Sequence, residues 1–311
     1  MKRKVIQHSP TSLVITLPKE WIDRYNICKG LELDVFEKDS QLCISKGEIE
    51  KTTLETEIDI TDLDRTTIML ALRNLYRAGY DKITIKFEKN QFVHHKSKNP
   101  IHIIEIIHER LQTLMGYEIT RETKGSCIVE NISEGLNEEL PRVVQRVYLL
   151  LIDICESIYD ATMKKDHSNL KIIDKKLETV VRFINYCLRT SNKEQRGPNS
   201  LSQFKFHVLA TVDRIVYLLR SSAKWLFRTS TKIDKSTIRV IELTLDSLRL
   251  LNQIAYKKNS RLMVEINNNR YEIESIIAKG MHKYSENEDI VIRNMVQIHH
   301  LLTDIANVKG H

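Results

Sequence analysis

The sequence predicts a multidomain α+β protein: a small β module, a mixed α/β segment and an all-helical carboxy-terminal domain. Three observations carry this. Hydrophobic residues alternate with period two in the first 48 residues, they recur at three- and four-residue spacing after residue 136, and the turn-formers are unevenly spread. The five prolines stand at 10, 18, 100, 141 and 198, and only three glycines follow residue 136. Composition therefore shifts near residue 135 from a turn-punctuated region to a helix-rich one.

In the first module, Lys4–Gln7 is short and extended, and Ser12–Leu17 is rich in β-branched residues and ends at Pro18. One or two helical turns, Lys19–Tyr25, follow. Lys29-Gly30 turns the chain, Leu31–Glu37 alternates apolar with polar, Asp39-Ser40 turns again, and Gln41–Ile44 closes a hairpin. Four short strands and one short helix bury little surface alone, and no Cys or His framework is present to staple them. A second subunit is the expected source of the missing core.

Residues 55–133 read as mixed α/β. A helix is expected over Asp62–Ala78, with Ile68, Leu72, Leu75 and Tyr76 on one face, ended by Gly79. A strand at Lys82–Phe87, a helix over Pro100–Met115, and a hairpin of Tyr117–Thr123 with Ser126–Glu130 follow. This segment shows no chemistry, and a spacer or an oligomerisation layer is the expectation. Gly135–Pro141 supplies the boundary to the helical domain, with a breaker, an Asn cap and Pro in the first turn. Helices are then expected over about 140–161, 168–190, 201–229, 236–257, 260–283 and 287–307, forming one bundle or two three-helix bundles related by an internal repeat.

Charge sharpens the division. Residues 1–30 hold six Lys/Arg against two Asp/Glu, residues 31–135 hold 14 against 19, and residues 136–311 hold 28 against 20. A basic tip on an acidic middle suits contact with a phosphate backbone, and solvated lysines without a partner are the alternative. No stretch approaches a membrane span and no signal-peptide core follows Met1, so a cytoplasmic protein without membrane insertion is expected. Cys28, Cys43, Cys127, Cys155 and Cys187 show no CxxC spacing and read as buried free thiols. The motifs HExxH, GxSxG, the Walker loop and GxGxxG are missing, so no enzyme is expected.

The basic first strand, Ser12-Leu13-Val14-Ile15-Thr16-Leu17-Pro18-Lys19-Glu20-Trp21, the turn Ile27-Cys28-Lys29-Gly30 and the hairpin from Leu31 to Ile44 closely resemble the SpoVT/AbrB swapped-hairpin family. The match covers about residues 2–46. It implies two chains interlacing their hairpins into one barrel whose dimer binds DNA. Thr11-Ser12 stands where many members carry Gly-Arg, which removes an expected phosphate-binding arginine. The residues the resemblance places on the DNA are Lys2, Arg3, Lys4, His8, Thr11, Ser12, Lys19 and Arg24, with charge from Lys and Arg and positioning by hydroxyls.

The segments Leu170–Arg189 and Asp213–Ala223, echoed at Leu262–Ile276 and Met295–Ala306, look like the two halves of a PhoU domain, the helical regulator of phosphate uptake. An AbrB-like module fused to such a domain is a known prokaryotic arrangement. PhoU domains carry acid-x-x-x-acid pairs, and residues four apart share a helix face on which two carboxylates can grip one ion. Asp174 and Glu178 keep such a pair. The later positions read Asp213 with Tyr217, Asn268 with Glu272, and Val296 with His300, too few hard ligands for a multinuclear cluster. No resident cofactor is expected, and Asp174 and Glu178 are the residues that would hold an ion. Glu156 with Asp160 is a further acidic pair, read as a solvated face, and His94, His95, His102 and His108 form a loose set without ligand spacing.

The resemblances imply a homodimeric or larger DNA-binding regulator of phosphate-related genes, with the helical domain receiving a signal from an ion, an anion or a partner protein. The alternative is an interaction regulator of a phosphate transporter or sensor kinase that uses the barrel only to dimerise. An antitoxin-like partner-binder is a third reading.

Overall fold

The computed structural model describes residues 2–38, 41–46, 53–88, 91–93, 100–133, 140–164, 170–194, 201–228, 233–256, 259–280 and 284–309. It divides into two compact units, Met1–Thr53 and Leu54–His311.

In the first unit, β1 (Ile6–Ser9) pairs antiparallel with β2 (Ser12–Val14), and β3 (Asp34–Lys38) pairs antiparallel with β4 (Gln41–Ser45). Between the hairpins lies α1 (Lys19–Tyr25), which starts after extended Pro18 and ends at Asn26 with φ 49°. Asparagine tolerates this left-handed conformation because its short polar side chain bonds locally. The hairpins are two separate two-stranded sheets, and among the described residues the single chain closes no barrel. The third strand begins at Asp34 rather than Leu31, and the Asp39-Ser40 turn lies outside the described residues. The strand expected over Ser12–Leu17 ends at Val14.

The second unit opens with a four-stranded sheet in the order β5-β6-β10-β9. β5 (Glu55–Asp59) runs parallel to β6 (Lys82–Lys86), and α2 (Arg65–Arg77) makes the crossover. Asp64 caps α2 by accepting from the Thr67 N–H at 2.9 Å. Gly79, at φ 93°, turns the chain out of the helix. Antiparallel β9 (Tyr117–Thr123) and β10 (Ser126–Asn131) complete the sheet. One face carries Ile83, Ile85, Cys127 and Val129, all buried with α2 and with α3 (Ile103–Leu111). The other face is laced by Lys86 with Glu57 and by Lys82 with Glu55 and Glu130. The helix expected from Pro100 starts three residues later. Residues 100–102 form β8 (Pro100–His102), which pairs with β7 (Gln91–Val93).

Six long helices follow: α4 (Leu140–Lys164), α5 (Leu170–Glu194), α6 (Leu201–Arg228), α7 (Lys235–Tyr256), α8 (Ser260–Gly280) and α9 (Glu286–Lys309). They share one hydrophobic core, fed by stripes such as Val143, Val147, Leu151, Ile154 and Ile158. The packing repeats itself. The first and second and the second and third helices of each triplet touch, and the triplets meet through α4 with α7 and α6 with α9. Glu288 in the first turn of α9 ties the second triplet together at its start. It accepts from the N–H of Asp234, which precedes α7, at 2.7 Å and from the Ser285 hydroxyl at 2.7 Å, so the cap of α9 also holds the start of α7. Residues 134–139, where the sequence places the domain boundary, lie outside the described residues. Among the described residues, no helix is long and apolar enough to cross a membrane.

Candidate functional site

Among its described residues the amino-terminal unit has no interior of its own. None of its described residues is buried, and apolar side chains stand in the open: Leu13 is 70 % exposed, Leu42 62 %, Val5 60 % and Val35 56 %. The candidate DNA-binding residues surround this surface. Lys2, Arg3 and Lys4 precede β1 and are exposed. The register slips between Gln7 and Ser9, which leaves His8 in a bulge. Thr11 and Ser12 sit at the hairpin turn, and the Ser12 hydroxyl is engaged with that of Ser9 at 2.8 Å. Lys19 and Arg24 stand exposed on α1. His8, Thr11 and Ser12 thus share one hairpin, and Lys19 and Arg24 share one short helix.

In the bundle, several of the acidic residues singled out in the sequence face arginines from neighbouring elements. Asp174 Oδ1 lies 3.4 Å from Arg220 Nε, an ion pair without hydrogen-bond geometry. Asp213 meets Arg77 at 2.9 Å, Glu272 meets Arg239 at 2.8 Å, and Glu156 meets Arg249 at 2.7 Å. Glu178 is exposed, one turn along from Asp174. Asp160 is approached by Lys164 at 3.5 Å and lines a shallow groove with Ser157, Ile173 and Lys176. Among the described residues, no three His, Cys, Asp or Glu side chains gather around one point. At Asp174, Asp213, Glu272 and Glu156 a guanidinium brings positive charge to the carboxylate. His94 and His95 lie outside the described residues, while His102 precedes α3 and His108 lies on it.

Three of the thiols follow expectation. Cys127, Cys155 and Cys187 are buried, and desolvation pushes each up to about 12, which makes them inert. Cys28 is exposed and Cys43 half-buried, in the unit that shows no buried side chain among its described residues.

The most elaborate polar site lies where the α/β layer meets α5. Arg189, 5 % exposed, donates to the carbonyls of Tyr76 at 3.1 Å and Tyr80 at 2.5 Å, and to Asp81 Oδ1 at 2.5 Å. Its guanidinium also lies 5.0 Å from the Tyr76 ring centre and 5.3 Å from that of Tyr117. Burial opposes ionisation of Asp81. The Lys193 ammonium, the Leu54 N–H and the Arg189 charge outweigh it and hold this carboxyl below its ordinary range. Burial pushes the Tyr117 phenol up to about 12 against the opposing charge of Arg189. One face of α5 supplies the rest of the joint. Asn185 accepts from Arg77 Nε at 2.8 Å and donates to the Thr113 carbonyl at 3.0 Å, and Asn192 donates to the Arg77 carbonyl at 2.7 Å.

Sequence reasoning passes over this site. Its trace in the sequence is the polar row Asn185, Arg189, Asn192 running beside the apolar stripe of Ile173, Leu177, Val180 and Ile184. A polar row so close to a buried stripe marks a helix packed on two sides. Neither a family model nor a curated protein matches this chain.

Proposed function

We propose that the chain is a DNA-binding transcriptional regulator linked to phosphate uptake. In this reading two copies interlace their amino-terminal hairpins, and the helical domain of each receives the signal. The observation that carries it is the amino-terminal unit itself: two hairpins without a buried residue among those described, with apolar surface facing out and basic side chains before β1 and on α1. Burying one large aliphatic side chain contributes about 1.5–3 kcal/mol, so a second copy that covers Val5, Leu13, Val35 and Leu42 would supply the missing core. The resemblance of residues 2–46 to the swapped-hairpin family fits this arrangement, and the repeated packing of α4–α6 and α7–α9 fits the resemblance to the two-part helical regulators of phosphate uptake.

The test joins mass in solution to duplex binding at two salt concentrations. A dimer or larger assembly is expected. Its affinity should fall steeply with salt, by a log–log slope of roughly 0.9 for each phosphate contacted. Replacing Lys2, Arg3 and Lys4 together by Ala should weaken binding on all sequences alike and flatten that slope. A monomer, or a triple variant that binds as the parent does, refutes the reading.

A second reading rests on one feature. With Thr11-Ser12 in place of Gly-Arg, and with the Ser12 hydroxyl already engaged by Ser9, the hairpin turn offers little to a phosphate. The unit would then only dimerise, and the protein would act on a phosphate transporter or sensor kinase. A dimer indifferent to duplex at low salt selects this alternative.

A further inference from the structure

We propose that Arg73, Arg77 and Arg110 form a binding site for a phosphoryl group, free or esterified, at the junction of α2, α3 and α5. Arg73 and Arg77 stand one turn apart on α2 and so share a face, and Arg110 comes from α3, which packs against α2. Arg65, two turns before Arg73, belongs to the same group, and its guanidinium is clasped by both carboxylate oxygens of Glu109. Arg77 is answered by Asp213 and Asn185. Neither Arg73 nor Arg110 meets a carboxylate among the described residues.

Both of these guanidiniums are half-buried, and the Nε of each is shut off from solvent without an acceptor. The hydrogen bond that Arg110 does make, to the Thr113 hydroxyl, is long at 3.4 Å. Buried guanidinium N–H groups are otherwise almost always paired, and an orphaned one points to a missing acceptor. Burial and then the Arg73 charge, joined by those of Arg77 and Arg65, pull Arg110 down to about 10 against the opposing pull of Glu109. The empty site is thus electrostatically unfavourable, and an anion would relieve it.

The charge count selects the ligand. Among the described residues four guanidiniums meet two carboxylates, Glu109 and Asp213, which leaves two positive charges unmatched there. A monocarboxylate would neutralise one of them. A phosphoryl dianion neutralises both and offers three oxygens to planar, forked donors. The ligand would also bear on the joint, because Arg77 and Thr113 both bond to Asn185 of α5. This inference does not depend on the amino-terminal unit gripping DNA.

The test is calorimetric titration of the full chain with inorganic phosphate, with AMP and with acetate at constant ionic strength. Binding of phosphate or AMP at one site per chain, with acetate inert, is expected, and the tighter of the two distinguishes a free ligand from an ester. Arg73→Gln and Arg110→Gln should each weaken binding at least tenfold, in line with loss of charge-assisted bonds. Arg65→Gln, whose group is already clasped by Glu109, should change it less than threefold. Phosphate should raise the thermal midpoint of the parent but of neither Gln variant, a readout that also verifies that the variants fold. Failure of both phosphate and AMP to bind at millimolar concentration, equal binding of acetate, or unaltered affinity in both Gln variants would each overturn the proposal.

Discussion

Replacing Arg189 by Met tests whether one side chain fastens the α/β layer to the helical bundle. Methionine keeps most of the volume of the aliphatic stem and removes the guanidinium. The change takes the ion pair from Asp81 and one donor each from the Tyr76 and Tyr80 carbonyls, which keep the Gly79 N–H and the Tyr117 hydroxyl. Removing one partner of a buried pair costs about 3–5 kcal/mol. Asp81 retains Lys193 at 2.5 Å and the Leu54 N–H at 3.2 Å, so the lower end, about 3 kcal/mol, is expected. The loss should also be local. In native-state hydrogen exchange, amides of α2 and β6 should lose protection, while those of α7 and α9 keep it. Arg189→Lys, which restores the charge but not the planar fork, should recover part of the loss. A destabilisation below about 1 kcal/mol in urea unfolding, or one shared equally by all helices, would refute the assignment.

Two further outcomes follow from buried features. His299 on α9 is 1 % exposed, and neither ring nitrogen reaches hydrogen-bond geometry. Burial lowers it to about 4, helped by the charges of His300 and Arg270 and only partly offset by the Leu243 carbonyl. The folded value lies below the ordinary 6.5, so stability is complete above that pH and falls as pH drops from 6.5 toward 4. The full loss is about 3 kcal/mol, and urea midpoints of the parent against His299→Leu should separate it from carboxylate titration, the variant lacking the slope between pH 6.5 and 5. Gly79→Ala places a side chain at φ 93° with its Cβ 3.0 Å from Lys193 Cγ. About 1–2 kcal/mol of backbone strain is expected, and an unchanged urea midpoint would contradict it.

The helical domain was legible because its signal is local and repeated. Val143, Val147, Leu151, Ile154 and Ile158 fall every three or four residues, and a stripe that regular leaves the chain one way to bury it. Elements held by distant partners were hidden. The Glu55–Asp59 strand reads Glu-Thr-Glu-Ile-Asp, with one strong apolar residue, and is held in place by its parallel neighbour. Pro100 looked like a helix start and instead lies in a strand paired with Gln91–Val93. The Arg189 joint connects residues 108 apart along the chain, a distance no spacing rule spans. The partners of the candidate ion-binding carboxylates were hidden for a related reason. Asp174 and Asp213 kept the expected residue type, but Arg220 and Arg77, which answer them, carry no mark in the sequence of that pairing.

The unit with Leu13 and Leu42 on its outside has a consequence for dosage. If, as proposed, a second copy completes this unit, the fold obeys mass action, and its population depends on how much protein the cell makes. Halving the supply of chains would then lower the assembled form by more than half, while the helical domain, whose core lies within one chain, would stay folded at any abundance.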